Sequence, residues 1–132
     1  MRAIDTNLPA RLIMGDDAAQ AAKAAQIVAA GVFVPVTVLM ELGWLLERRY
    51  GLTRADAHAA ISAFLESETV SVHDRDLIGW AMERYRLGKP LSDMLHIVAA
   101  VGADTFATFD ADVRKQAGAE PPVPVELLTS KL

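Results

Sequence analysis

Short apolar segments alternate with helix-length segments along the whole chain of 132 residues. This alternation predicts the α/β class, because each short strand is followed by a helix that returns the chain to the start of a parallel strand. We expect a three-layer α/β/α architecture with a central parallel sheet of four or five strands. Since the crossovers between parallel strands are right-handed, every strand should end at the same edge of that sheet.

The predicted strands lack the polar alternation of a half-exposed sheet, so we expect them to be buried. The first is a very short apolar run from Met1 that ends at Asp5, and the others are Val32–Pro35, Val70–Val72 and Thr105–Phe109. The proline-rich segment 121–125 fits only a sheet edge or an extended tail, because proline cannot donate to a central ladder.

Residues that favour helix starts precede most helical segments, and glycines follow several of them. Asp17 and Gln20 have the spacing of a capping box, and Thr37 is placed to cap a later helix. The most apolar helix starts at Ser92 and Asp93 and lacks a polar face, which predicts packing on several sides. The predicted helices run over about 8–14, 18–30, 37–50, 53–65, 74–87, 92–101 and 111–117.

The length and composition limit the class of protein. A chain of 132 residues predicts a single domain over residues 1–132 with one core. Its net charge of -4 argues against a basic protein that coats nucleic acid or a membrane surface. The absence of cysteine excludes disulfides, thiolate metal sites and cysteine nucleophiles. With no long apolar run and no leader-like N-terminus, we expect a cytoplasmic protein that has no membrane partner.

Four acids stand where the predicted elements meet the carboxyl edge of the sheet. Asp5 and Asp110 end predicted strands, whereas Glu41 lies in the first turn of a helix and Asp93 begins one. Because strand ends and the following helix starts share one edge, we expect these side chains to be neighbours. Neighbouring carboxylates repel one another unless a cation compensates them. Oxygen ligands without cysteine suit a hard divalent ion, which predicts Mg²⁺ or Mn²⁺ rather than zinc.

Each acid also has a purely structural interpretation. Taken singly, Asp93 is more simply a helix cap and Glu41 a partner of the helix dipole. Asp110 and Asp112 fit turn or cap positions equally well. Three further polar residues either orient the acids or satisfy the turn backbone, and both interpretations stay open: Thr6, Asn7 and Thr108.

His96 follows Asp93 by three residues on the same helical face, so the role of metal ligand or base is open to it. Its neighbours Leu95, Ile97 and Val98 are apolar. We therefore favour a packed, hydrogen-bonded histidine.

The chain contains aromatic and basic residues of the types that contact nucleic acid. Four aromatic residues at helical spacing are interpreted as core or interface residues rather than platforms for stacked bases: Trp44, Phe64, Trp80 and Tyr85. Most of the arginines are interpreted as solvated helix faces. Arg48 and Arg49 fit a protein partner as well as they fit a nucleic acid.

A divalent ion held by carboxylates supports one kind of chemistry better than others. Such an ion binds a phosphate oxygen and lowers the pKa of a bound water, and two ions together stabilise both the attacking and the leaving oxygen of an in-line displacement. The acids therefore predict phosphodiester hydrolysis.

Four short motifs, in order along nearly the whole chain, resemble those of PIN-domain proteins. They are IDTN (Ile4–Asn7), TVLMEL (Thr37–Leu42), LSDMLH (Leu91–His96) and TFDAD (Thr108–Asp112). The chain is similar in particular to the VapC-like ribonuclease toxins of type II toxin-antitoxin systems. No single motif is specific, but the four in order make a strong resemblance.

The resemblance implies a metal-dependent endoribonuclease that cuts single-stranded RNA, such as a transfer or ribosomal RNA. It implies a homodimer that a cognate antitoxin protein inhibits, and a strand order of 3-2-1-4-5. The implied catalytic acids are Asp5, Glu41, Asp93 and Asp110, and the implied ligands of Mg²⁺ or Mn²⁺ are Asp5, Asp93, Asp110 and Asp112. Asp112 competes with Asp110 for the place of the fourth acid, and Thr6, Asn7 and Thr108 match polar positions beside the metal.

Two other functions are alternatives to the endoribonuclease. One is a catalytically silent PIN-like binding module that acts through a partner complex on operator DNA. The other is a phosphatase with an aspartyl nucleophile, which ranks low because Asn7 stands where that chemistry needs a second acid.

Overall fold

The computed structural model describes residues 1–131, which divide into two compact units that separate after Arg75. The first unit contains the strands β1 (Arg2–Ala3), β2 (Val32–Phe33) and β3 (Val70–Ser71), and the second contains β4 (Phe106–Thr108) and β5 (Val125–Leu127). The helices are α1 (Asn7–Met14), α2 (Ala18–Ala29), α3 (Val36–Trp44), the π-helix (Leu45–Arg49), α4 (Arg54–Glu66), α5 (Arg75–Arg86), α6 (Leu91–Ala99) and α7 (Ala111–Ala117). The predicted α/β class is confirmed.

The sheet of the first unit is parallel, with β2 between β1 and β3. Ala3 pairs with Phe33, and Phe33 pairs with Ser71. The pairing continues one residue further, because the amide of Ile4 donates to the carbonyl of Phe33 at 3.2 Å and the amide of Val34 to that of Ser71 at 2.9 Å. The carboxyl ends of these strands therefore lie along one edge, as predicted.

The prediction of one sheet of four or five strands is wrong in its count. The strands of residues 1–131 form a three-stranded sheet and a separate two-stranded sheet of β4 and β5. Within each sheet the neighbours agree with the order expected from the resemblance. The prediction that Thr105–Phe109 is buried is also wrong, since Ala107 is exposed and Phe109 is 71% exposed. An apolar run predicts burial only when packed elements cover both faces of the strand, and the exposure of Ala107 shows that one face of β4 is open among the described residues.

The predicted N-cap at Asp17 and the predicted helix start at Thr53 are confirmed. The carboxylate of Asp17 accepts a hydrogen bond from the amide of Gln20 at 3.0 Å, and the hydroxyl of Thr53 accepts one from the amide of Asp56 at 3.1 Å. Both bonds satisfy amides that a helix start leaves without a partner.

The predicted cap at Thr37 is wrong, because α3 begins at Val36 behind Pro35. The carbonyl of Pro35 accepts hydrogen bonds from the amides of Val38 and Leu39 at 3.0 and 3.2 Å, which places Thr37 inside the first turn. Glu41 therefore lies in the second turn, and its predicted place in the first turn is wrong.

The predicted surroundings of α6 also need correction. The helix begins at Leu91 behind Pro90 and not at Ser92. Ser92, His96 and Ala99 are exposed and form a solvent-facing stripe, so the helix is not packed on several sides. The interpretation of His96 as a packed histidine is wrong, because helical phase turns it to this stripe while its apolar neighbours face the core.

The aromatic residues divide between core and surface. Phe64 and Tyr85 are buried, as predicted, and Trp80 is partly buried. Trp44 is 60% exposed, which excludes the core interpretation for this residue.

The π-helix continues directly from α3. The amide of Tyr50 donates to the carbonyl of Leu45 at 3.1 Å, five residues back, and the chain then turns at Gly51 with a φ of 72°. A π-helical turn is rare and is often found at a functional site. Its effect here is to bring Tyr50 to the end of α1.

Tyr50, Arg11 and Asp16 form a hydrogen-bonded cluster. Arg11 Nη1 donates to Asp16 Oδ2 at 2.7 Å and to the Tyr50 hydroxyl at 3.2 Å, and that hydroxyl donates to Asp16 Oδ2 at 3.0 Å. Desolvation opposes the charge of Asp16, but the hydrogen bonds from Arg11 and Tyr50 outweigh it and hold the pKa of Asp16 below its ordinary value. Desolvation and the hydrogen bond to Asp16 raise the pKa of Tyr50.

In the part of the chain that the structure describes, no helix is both long enough and apolar enough to cross a bilayer.

The cluster predicts a pH-dependent contribution of Asp16 to stability. Because the folded-state pKa of Asp16 lies below the unfolded value of about 3.9, its contribution is present above that pH and is lost as the pH falls through the folded pKa. Asp16→Asn should therefore lower the urea midpoint at pH 7, with the difference from wild type vanishing in strong acid. Tyr50→Phe removes one hydrogen-bond donor to Asp16 and should bring the folded-state pKa of Asp16 closer to its unfolded value. The pH range over which the contribution of Asp16 is lost should therefore become narrower. A difference that stays constant from pH 7 into strong acid would contradict this role.

Candidate functional site

Asp5 lies just beyond β1, at the carboxyl edge of the first sheet. Its neighbour Ile4 is buried, whereas the Asp5 side chain is exposed. Asp5 Oδ1 accepts a hydrogen bond from the amide of Leu8 at 3.4 Å, a long contact in the first turn of α1. The carboxylate thus faces the positive end of a helix dipole and keeps most of its oxygen surface free for another partner.

Thr6 and Asn7 carry the chain from Asp5 into α1. Thr6 is the N-cap residue and is 6% exposed, but its hydroxyl does not bond to the helix start. Asn7 is the first residue of α1 and is exposed. Within the described chain, neither side chain forms a hydrogen bond to the backbone of the turn. The interpretation that these two residues satisfy the turn backbone therefore has no hydrogen bond to support it.

Glu41 lies on the exposed face of α3, the helix that leaves the carboxyl end of β2. Since β1 and β2 are parallel neighbours, Asp5 and the start of α3 lie at the same edge of the first unit. Glu41 is exposed, and over residues 1–131 its carboxylate is in neither a hydrogen bond nor an ion pair. It is therefore open to water and to a ligand.

Asp93, Asp110 and Asp112 belong to the second unit. Asp93 is the third residue of α6, partly buried, and lies in the first turn without capping it. Asp110 follows β4 and is the N-cap of α7, where its Oδ1 accepts a hydrogen bond from the amide of Asp112 at 2.8 Å. The side chain of Asp112 is exposed and has no partner among the described residues.

Thr108 supports the turn that carries Asp110. Its hydroxyl accepts a hydrogen bond from the amide of Asp110 at 3.0 Å. Thr108 therefore satisfies the turn backbone and, through it, orients Asp110. The sequence had left these two roles open as alternatives. The cap interpretation of Asp110 is confirmed, and it leaves Oδ2 of this carboxylate available.

The chemistry of the donors suits a hard divalent cation. Within residues 1–131 none of the candidate carboxylates is in an ion pair, so no arginine or lysine competes for their oxygens. Carboxylate oxygens are the protein ligands that Mg²⁺ and Mn²⁺ prefer. The same part of the chain contains no group of three or more acidic or histidine side chains close enough together to hold a metal ion. The gathering of the acids around one ion stays a prediction.

The sequence analysis did not connect two further residues with Glu41. Trp44 and Arg48 follow it on the same exposed face, although the pattern was interpreted as core or interface for Trp44. The signal that could have found them is the spacing of Thr37, Glu41, Trp44 and Arg48, which is four, three and four residues. The buried residues of this segment, such as Leu39, Leu42 and Leu46, lie between these four positions. The side chains of the four residues therefore point away from the core.

The comparisons with known proteins agree with this fold. The family model described as PIN domain matches residues 3–119, which is most of the chain. A search of curated proteins found no match.

Asp110 combines a structural role with a proposed catalytic one, and the two can be separated. Asp110→Ala should lower the free energy of unfolding by about 0.5 to 2 kcal/mol, because α7 loses its cap, whereas Asp110→Asn should lower it much less. Urea denaturation with an unchanged m-value measures both effects. Equal losses for the two variants would show that the cap is not what Asp110 contributes to stability.

Proposed function

The chain belongs to the PIN domain family, and on that premise we propose that it is a metal-dependent endoribonuclease that cuts single-stranded RNA. PIN domains are generally nucleases, so family membership supports a nuclease, and more broadly a hydrolase, activity. The finer parts of the proposal are the RNA substrate, the metal and the biological role.

The observation that supports the proposal is a set of carboxylates without ion pairs among the described residues, at the positions where the four sequence motifs resemble those of the family. Asp5 follows a parallel strand, Asp93 lies in the first turn of a helix, and Asp110 follows another strand. Without arginine or lysine partners, these acids leave a negative charge that a divalent cation compensates.

The proposed roles follow from the surroundings of each carboxylate. We assign Asp5, Asp93 and Asp110 or Asp112 to the metal, which is Mg²⁺ or Mn²⁺. When bound, such an ion supplies a nucleophilic water at neutral pH and neutralises charge on the phosphate. Glu41 is exposed and unpaired, so its carboxylate is able to orient the attacking water or accept its proton.

The proposed biological role is that of a VapC-like toxin, a cytoplasmic homodimer neutralised by a cognate antitoxin. The support for this role is the set of four motifs in the order of that group. The target is proposed to be a transfer or ribosomal RNA.

The nuclease proposal is tested by neutral substitutions of two acids. Asp5→Asn and Asp93→Asn should each reduce cleavage of single-stranded RNA in Mg²⁺ by about 100-fold or more, because each removes a metal ligand worth several kcal/mol. EDTA should abolish cleavage by the wild type, and Mg²⁺ or Mn²⁺ should restore it. The measurement is the rate of product formation from a labelled RNA.

Asp76→Asn is the matched control, because Asp76 also lies in the first turn of a helix of the second unit and is exposed. It should cleave RNA at the wild-type rate. Full activity of either candidate variant would remove the assignment. A pure wild-type protein that cleaves no RNA in either metal would support the alternative binding module that acts on operator DNA through a partner.

The toxin role predicts a neighbouring gene for a small protein with a DNA-binding N-terminus and a tail that is disordered when free. Co-expression should give a complex without ribonuclease activity, and growth inhibition by this chain should disappear. The measurements are growth after induction and RNA cleavage by the purified complex. Growth inhibition that persists in the presence of this neighbour would exclude it as the antitoxin.

A further inference from the structure

One exposed face runs along α3 into the π-helix. It consists of Thr37, Glu41, Trp44 and Arg48, all of which are exposed, while Leu42 and Leu46 between them are buried. Residues three and four apart on a helix are neighbours on its surface. Trp44 is therefore one turn from the candidate acid Glu41, and Arg48 is one turn further.

Trp44 is unusual as a surface residue. Its side chain is 60% exposed, although tryptophan is normally among the more buried residue types. The residues on either side of it, Gly43 and Leu45, are buried, so the backbone is anchored while the indole projects outward. An exposed indole on an anchored backbone offers a flat apolar face to a ligand.

Arg48 and Arg49 add positive charge beside this ring. Both are exposed, and in the part of the chain that the structure covers neither forms an ion pair. They lie in the π-helix, which ends at Arg49. An aromatic ring next to unpaired arginines is the combination that binds single-stranded nucleic acid, since bases stack on the ring and phosphates pair with the cations.

We propose that Trp44 stacks on a base of the single-stranded RNA substrate and that Arg48 binds a neighbouring phosphate. The strand would thereby be led along this face to Glu41. This inference rests on the proposed function, because it names how the same substrate is held. A protein seated permanently on Trp44 would also cover Glu41, about 5 to 6 Å away between β-carbons, so RNA fits this face better than a constitutive partner.

The first experiment measures binding of a labelled oligouridine by fluorescence anisotropy, with EDTA present to prevent cleavage. Trp44→Ala should weaken binding by roughly 5- to 150-fold, which is the usual effect of removing one stacked aromatic residue. Trp44→Phe should restore most of the affinity, because phenylalanine also stacks. Leu87→Ala is the matched control for an exposed apolar side chain, since Leu87 is 52% exposed, and it should bind as the wild type does.

The salt dependence separates the two contacts. Arg48→Ala should reduce the slope of log K against log salt concentration by about 0.7, the value for one phosphate contact with a single strand. Arg48→Lys should keep the slope, and Trp44→Ala should leave it unchanged because stacking releases no counterion. An unchanged slope in Arg48→Ala would overturn the phosphate contact.

Failure of this inference is distinguishable from failure of the proposed function. If the wild type cleaves RNA in Mg²⁺ and Trp44→Ala binds and cleaves equally well, the inference is overturned and the nuclease proposal stands. If the wild type cleaves nothing but its affinity for RNA depends on Trp44 as predicted, the stacking contact stands and the nuclease proposal fails. If Trp44→Ala turns a dimer into a monomer with unchanged RNA affinity, a second copy covers this face and the inference is overturned.

Discussion

Parallel pairing between strands of only two residues organises the first unit of this protein. So short a ladder contributes few hydrogen bonds, and what holds the strands is the burial of apolar side chains such as Val32 and Val34, which are completely inaccessible to solvent. Full burial of a side chain of this size contributes about 1.5 to 3 kcal/mol. Because the strands point the same way, the chain delivers Asp5 and the start of α3 to one edge, and the candidate chemistry of this unit depends on that direction.

Two of the acids form structural ion pairs, and none of the candidate functional acids does so among the described residues. Asp16 and Glu83 are held in ion pairs with Arg11 and Arg86. In residues 1–131 the candidate acids lack such partners, although the chain has 13 lysines and arginines from which partners could be drawn. A carboxylate that forms no ion pair with a lysine or arginine is available to an external cation. This availability, together with the places of the acids in the four motifs, is the basis on which a metal-dependent role is proposed for this PIN domain.

The phase of α3 connects the candidate acid to the proposed RNA contact. The helix begins one residue before the predicted cap, yet Glu41 stays on the exposed face, because the burial of Leu39, Leu42 and Leu46 sets the rotation of the helix. The same rotation turns Trp44 outward. An apolar residue on the polar face of an amphipathic helix has no role in the core, and its position next to an acid suggests that it serves a ligand.

The features that the amino-acid sequence determines are local or periodic. The α/β class follows from alternating segments, the caps at Asp17 and Thr53 need only the next turn of helix, and the motifs identify a PIN domain. Tertiary structure alone decided that Trp44 is exposed and the strand β4 only partly buried, that α3 passes into a π-helix, and that the described strands form a three-stranded and a two-stranded sheet. The reason is that burial and pairing depend on what distant segments place beside a residue, whereas capping and periodicity depend only on its neighbours in the chain.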